Sequence, residues 1–332
     1  MKHLILLLIV ICAVGTVNAQ TSQTDEATRL SAEVVKLFSA KKYKEAVPIA
    51  EKVVQLREAE FGATHLKTGE ALRNLGFVQV ANGSKGEAAK TFEKAIAAYQ
   101  SNTGLTKKSQ VELAQMLESV GFSKFEDRKF EKAVELYQKA ANLRETAQGV
   151  DAPETTETLW SLANIYQFQK DYKNSEKIFR RILESKTKNI GNRNWTIQDA
   201  TIRYQCAATR NDNGQEAQNF ISSRKSENKD EKQNQSNLNP TSINSGVVNG
   251  KAINLAKPPY PSEARSSRAS GMVQVQITIS EEGKVIFACA MSGNKLLYEA
   301  SESAAYQSTF KPTTILGKPV KVTGVVVYNF VP

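Results

Sequence analysis

Few side chains in this 332-residue chain are of types that do chemistry. Histidine occurs twice, at His3 and His65, and cysteine three times, at Cys12, Cys206 and Cys289. His3 and Cys12 fall within MKHLILLLIVICAVGTVNAQ, an apolar leader, so His65 is the one histidine outside it. That count excludes a His-dependent triad, an H-E-x-x-H zinc site and a Cys/His metal cluster. No G-x-G-x-x-G, no phosphate loop ending in Gly-Lys-Ser/Thr and no G-x-S-x-G elbow occurs. The acid pairs Glu126-Asp127 and Glu281-Glu282 belong to a helix end and a turn tip, where solvated carboxylates are ordinary. No enzyme, cofactor, metal or small-molecule substrate is expected. Cys206 and Cys289 lie in regions of different character and read as buried thiols acting as small hydrophobes, with a bridge between them as the lesser alternative.

What remains is the chemistry of the main chain. In GMVQVQITISEEGKV (271–285), Val273, Val275, Ile277 and Ile279 alternate with Gln274, Gln276, Thr278 and Ser280. That is the pattern of a half-buried strand. Glu281-Glu282-Gly283 closes it with a hairpin turn in which Gly supplies the positive φ.

Three other regions must position that strand. Residues 1–19 carry a basic Lys2, an apolar core from Leu4 to Val17, and Val17-Asn18-Ala19 as a small-residue cleavage site. The core is short of the roughly 20 apolar residues of a membrane span, so a cleaved secretory signal and a periplasmic location are expected. Retention of that segment, or lipidation at Cys12, would attach the protein to a membrane. The formal net charge of +10, with no run of Lys and Arg interleaved with aromatics, is read as solubility and attraction to anionic envelope surfaces, not as nucleic-acid binding.

Between Ala27 and Phe220 the chain repeats. KKYKEAVPIAEKVV (41–54), GSKGEAAKTFEKAI (83–96), RKFEKAVELYQKAA (128–141) and KDYKNSEKIFRRIL (170–183) align on Ala46, Ala88, Ala133 and Ser175, with Ala217 in a fifth, decayed copy. Gly62, Gly104, Gly149 and Gly191 keep the same beat where a helix should stop. Each unit reads as two helices. The first carries a small residue after its leucines (Gly76, Gly121, Ala163), and the second starts near an aromatic (Tyr43, Phe130, Tyr172). Each pair has an apolar face that only a neighbouring pair can bury. The pattern resembles tetratricopeptide repeats of the long type found in kinesin light chains, best in EAEFGATHLKTGEALRNLGF (58–77). The resemblance covers about 27–222 and implies an all-α solenoid that presents surfaces to protein partners.

SSRKSENKDEKQNQSNLNPTSINSGVVNG (222–250) is poor in large apolar residues and reads as a disordered linker. After it, Pro258, Pro259 and Pro261 give an extended lead-in, and Ser262 caps a short helix to about Arg268. A second strand places Val285, Phe287, Cys289 and Met291 on one face. Leu296 to Gln307 reads as a helix with Leu297, Ala300 and Ala304 inward, and a last strand runs from Pro319 to Val331. Tyr260-Pro261-Ser-Glu-Ala, Gly271-x-Val-x-Val-x-Ile, the turn at 282–283, Phe310-Lys311-Pro312 and Gly-Lys-Pro-Val at 317–320 occur in the order of the TonB carboxy-terminal domain, which this end resembles over about 252–332. One departure is Ser308, where the family commonly has Trp.

The expected division is therefore a signal peptide at 1–19, a helical solenoid at 20–221, a linker at 222–250 and a small α+β domain at 251–332. The resemblance implies a three-stranded antiparallel sheet of order 2-1-3 with both helices on one face. It also implies a free sheet edge at which a segment of an outer-membrane TonB-dependent transporter adds as a further strand. By position, that site is Tyr260 and Pro261 with Val320, Lys321, Val322, Thr323, Val325 and Val327. The reading left beside it for the strand is plain sheet structure, its edge covered by the chain's own tail or a second copy. The alternative for the whole chain is an envelope structural adaptor whose repeats recognise other envelope proteins and whose TonB-like domain mediates self-association or attachment.

Overall fold

The structure, a computed structural model, describes residues 26–185, 197–227 and 242–331. The expected signal segment, Gly191 and the middle of the expected linker lie outside those residues.

Helices α1 (26–39), α2 (Tyr43–Phe61), α3 (Leu66–Ala81), α4 (Lys85–Gln100), α5 (Lys107–Glu126), α6 (Phe130–Gln148) and α7 (Pro153–Phe168) pair as the repeat predicts, followed by α8 (Tyr172–Glu184), α9 (Ile197–Arg210) and α10 (Gly214–Glu227). The aligned small residues Ala46, Ala88, Ala133, Ser175 and Ala217 are all at most 1% exposed, so the fifth copy keeps the packing position of the others. A second marker runs through all five turns. Lys41, Gly83, Arg128, Lys170 and Asp212 each adopt a left-handed φ between 58 and 85°, at the repeat spacing. Four of these are non-glycine residues in a conformation that costs about 1 kcal/mol or more, held because the turn must reverse the chain in two residues.

The small residues on the first helices do what their size permits. A Cβ at Gly76 would lie 2.5 Å from the Phe92 ring, and one at Gly121 would lie 3.0 Å from Tyr137. Two clusters of polar groups inside the stack are paired. The Tyr99 hydroxyl donates to Glu112 at 2.8 Å while Arg73 meets the same carboxylate at 2.9 Å. Burial first, and then Glu112, push the Tyr99 phenol above its ordinary range. Arg144 grips Glu118 with two bonds, at 2.7 and 2.9 Å. His65 begins α3, accepting from the Lys67 amide at 3.2 Å and stacking on Phe61 at 4.7 Å.

The tertiary contacts gather into two compact units, one ending at Gln169 and one running from Lys170 to Pro332. In the second, α8, α9 and α10 pack with the strand-rich end. The sheet there is ordered β1 (Ser242–Val247), β7 (Lys318–Phe330), β3 (Gly271–Ile279), β4 (Val285–Ser292). The short strand β6 (Thr313–Ile315) pairs with the start of β7, and β2 (Ala252–Asn254) pairs separately with β5 (Thr309–Phe310). β3, β4 and β7 reproduce the implied 2-1-3 order, and α11 (Ser262–Ser266) and α12 (Tyr298–Gln307) contribute to the same core as Val273, Val275, Ile277 and Ile279. Gly283 is required at the hairpin: its φ is +83°, and a Cβ there would lie 2.0 Å from the Phe310 carbonyl.

Several details depart from the sequence reading. Cys206 on α9 and Cys289 on β4 form a disulfide, with Cα atoms 6.0 Å apart, within the span a bridge tolerates. They are not free thiols. A separation of 83 residues hid the juxtaposition. Phe287, Cys289 and Met291 do share a face, but it is turned toward Ile202 and Cys206 of α9. Val285 joins the main core instead, with Ala288 and Ala290, because the β3–β4 register shifts beside Ile279. Pro261, not Ser262, caps α11. Ser308, where the large side chain is missing, is tied into the surrounding main chain. It is buried, donates to the Ala304 carbonyl at 2.8 Å and accepts from the Ala256 amide at 3.1 Å. Within the expected linker, residues to Glu227 are helical and Ser242–Val247 form β1. Composition missed β1 because a strand that adds to an open edge is held by main-chain bonds more than by apolar burial.

Candidate peptide-binding edge

β7 is built from β-branched and aromatic residues, KPVKVTGVVVYNF. One side pairs with β3 from Ile279↔Val322 to Gly271↔Phe330. Val322, Val326, Tyr328 and Phe330 are buried in the core, whereas Lys321, Val325 and Val327 are half-buried. The other side is the edge that sequence reasoning selected, and its occupants can be read residue by residue.

At Val320 the edge is met by β6, through Thr313. From Lys321 to Val325 it is met by β1, which runs parallel to β7 with Ser242↔Lys321, Ile243↔Val322, Asn244↔Thr323 and Val247↔Val325. The register shifts between Asn244 and Val247, where Gly246 takes a φ of +62°. Beyond the strand, the Val248 amide donates to the Val325 carbonyl at 2.9 Å. The Asn249 side chain then completes the ladder. Its Nδ2 donates to the Val327 carbonyl at 2.7 Å, and its Oδ1 accepts from the Val327 amide at 2.9 Å. A side-chain amide here imitates a peptide bond, satisfying both main-chain groups that an edge residue leaves open.

Val248 is the side chain that anchors this segment, 1% exposed and part of the main core. Its seat exists because residue 324 is glycine: a Cβ at Gly324 would lie 2.6 Å from Val248 Cγ1 and 3.0 Å from the Gly246 carbonyl. Glycine inside a strand often marks such a close approach, and that was the one sequence signal that could have found the seat. Nothing in sequence pointed to Asn249.

The other selected residues divide. Thr323 is buried, and its hydroxyl accepts from Gln198 of α9 at 2.9 Å. Tyr260 meets β7 at Phe330, edge-on at 5.7 Å and past the Val320–Val327 stretch, and its hydroxyl donates to the Ala269 carbonyl. Pro261 caps α11, its carbonyl accepting from the Arg265 amide at 2.9 Å. Tyr260 and Pro261 are thus braces at the end of the sheet, while Lys321, Thr323, Val325 and Val327 are the selected residues whose main chain faces the added segment. Nearby, the Ser280 hydroxyl holds the Glu282 carboxyl below the usual carboxylate range, with Lys284 and Lys321 adding to it.

The far side of the sheet is tied to the last helices. Besides the disulfide, the Arg203 guanidinium lies 4.3 Å from the Phe287 ring centroid, Arg210 pairs with Glu302, Lys170 with Glu299, and Lys295 with Asp212. In the first unit, α1, α2 and α3 frame an apolar groove of about 450 Å³ in which Val35, Phe38, Phe77 and Val80 are prominent. Val35 is 63% exposed, a level at which an aliphatic side chain in a groove offers a protein partner something to cover. Among the described residues, no helix is long and apolar enough to cross a membrane.

Comparison with known families agrees with this architecture. Residues 35–101 and 112–188 match the tetratricopeptide repeat family, and residues 256–332 match the Gram-negative bacterial TonB protein C-terminal family. Among curated proteins nothing matches. Solved structures similar to the chain include a kinesin light chain with nearly identical TPR-like repeats from P. anserina, at 19% identity and a TM-score of 0.44, covering 63% of this chain and 99% of that one. Another is BtubC from P. vanneervenii, at 17% identity and a TM-score of 0.40, covering 67% and 95%. A tetratricopeptide repeat protein from Parabacteroides merdae is similar at 20% identity and a TM-score of 0.40, covering 61% and 67%. The chain combines a protein-interaction scaffold of repeats with a TonB carboxy-terminal domain, which implies a role in the Gram-negative envelope. Neither family is catalytic.

Proposed function

We propose, for a chain that joins tetratricopeptide repeats to a TonB carboxy-terminal domain, that it works in the periplasm as a peptide-binding protein, exported by a signal cleaved near Ala19. Its ligand adds as a strand along β7 at Lys321–Val327, and the ligand's source is an outer-membrane TonB-dependent transporter. The repeats act as the scaffold that recruits other envelope proteins. The observation that carries the reading is the geometry of the β7 edge, whose main-chain groups at Val325 and Val327 already accept an added segment. The Cys206–Cys289 bridge supports the location, since disulfides persist in oxidising compartments such as the periplasm.

The test is Val325→Pro in the full chain. In a strand the N–H and C=O of one residue point to the same side, and the Val325 carbonyl faces the added segment. Proline there removes an edge donor and leaves the β3 ladder intact. Fluorescence anisotropy with labelled amino-terminal segments of outer-membrane transporters should show at least a tenfold loss of affinity, on the scale of one lost main-chain bond plus its neighbours. Unchanged affinity sinks strand addition at this edge. The exposed groove around Val35 and Phe38 favours the second reading, an envelope adaptor that recognises partners through its repeats. Under it, Phe38→Asp abolishes capture of envelope partners and Val325→Pro does not.

A further inference from the structure

The segment from Ser242 to Asn249 is held too completely to be an incidental neighbour of β7. It supplies a parallel strand to 321–325, a fully buried Val248 in a seat that only glycine at 324 leaves open, and a side-chain amide that closes both main-chain groups of Val327. The stretch TSINSGVVNG (241–250) carries no charge, so nothing electrostatic fixes it there. Among the described groups its hold is main-chain pairing, the Asn249 side-chain amide and one aliphatic seat. Val247, between the strand and the seat, is 63% exposed and adds little. Such a segment is a ligand supplied by the chain itself. It connects through residues 228–241 to α10, so release does not lose it to solution.

We propose that residues 242–249 are a resident ligand of the β7 edge, which a partner must displace, and that their pattern specifies the partner. The partner is a protein segment of low charge that runs parallel to β7. It places a β-branched aliphatic residue over Gly324 and a side-chain amide next to it, opposite Val327. The inference rests on the reading of β7 as a peptide-binding edge and adds its occupancy control and its recognition rule. Binding by an outside segment is weakened by the fraction of molecules whose edge is closed, so loosening the resident segment strengthens it.

The experiment uses the full chain, oxidised, in wild-type, Asn249→Ala and Val248→Asp forms, with Gly324→Ala as a seat-blocked control. Amide hydrogen exchange reads the closure at the Val327 N–H, and anisotropy reads binding of a fluorescein-labelled TSINSGVVNG peptide. The wild type should protect the Val327 amide and bind the peptide poorly. Asn249→Ala should speed Val327 exchange and tighten peptide binding by about tenfold, the scale of opening a mostly closed site. Val248→Asp should do both more strongly, and Gly324→Ala should bind the peptide poorly with a Val327 amide left open. Val327 exchange that is fast in the wild type, or unaltered by both loosening substitutions, overturns the proposal. So does peptide affinity that rises for Gly324→Ala as much as for Asn249→Ala. Faster exchange in the loosened forms without binding of any added peptide keeps the resident segment and instead removes the reading of β7 as a partner site.

Discussion

Consider reduction of the Cys206–Cys289 bridge. It closes a loop of 83 residues that contains β1, β3, the start of β4 and residues 228–241. In the chain-entropy account, a loop of that size restricts the unfolded chain by about 4.5 kcal/mol at 25 °C. What the folded protein keeps without the bond includes Ile202 on Phe287, Arg203 over the same ring, Gln198 donating to Thr323, and Arg210 paired with Glu302 and lying over Tyr298. The ion pairs Lys170–Glu299 and Lys295–Asp212 are exposed at both ends and add little. The comparison is between the oxidised wild type and a Cys206→Ala/Cys289→Ala variant. Alanine avoids burying a hydroxyl at two sites that are at most 5% exposed. With a urea m-value of about 2 kcal/mol/M, the second unit's midpoint should fall by about 2 M. Segment-resolved hydrogen exchange should show α9 and β4 losing protection while α3–α6, in the first unit, keep theirs. A midpoint shift below about 0.5 M would refute the reasoning, because it would mean that the bond merely decorates an interface the sheet and helices hold unaided.

Two further outcomes follow from particular contacts. Gly76→Ala gains helix propensity of about 1 kcal/mol but drives a Cβ to 2.5 Å from the Phe92 ring. The net should be a loss of about 1–3 kcal/mol in thermal unfolding, larger than for Gly121→Ala, whose contact is 3.0 Å. Equal losses would show that the packing tightness does not set the cost. For pH, the folded Glu282 carboxyl is depressed below 4.5, chiefly by the Ser280 hydroxyl. Its contribution is therefore present above pH 4.5 and lost as pH falls through the lower folded value. Ser280→Ala should move the Glu282 titration, followed by carboxyl NMR, back toward 4.5. A titration that stays depressed means that the remaining groups hold it.

Much of this architecture was legible before any coordinates. The repeat was written twice, in small residues and in glycines, because a stacked helix pair needs both a close-approach position and a chain reversal at fixed intervals. The buried Ala46, Ala88, Ala133, Ser175 and Ala217 bear this out, the last in a copy whose other signals had faded. The β3 alternation and the Gly283 turn were likewise local, since period-two burial and a positive φ are properties of a few consecutive residues. Pairings between distant segments were not legible. Cys206 and Cys289 carry no mark of each other, and the sequence of β4 reads as a strand with one apolar face, whereas both of its faces are covered, one of them by α9. TSINSGVVNG has the composition of a coil. It becomes a strand because β7 presents unsatisfied main-chain groups and Gly324 leaves space for Val248. Local patterns therefore determined the helices, the hairpin and the core of each. Which edge is open, and what lies in it, depended on contacts across the chain, since a main-chain hydrogen bond carries no side-chain signature in the sequence.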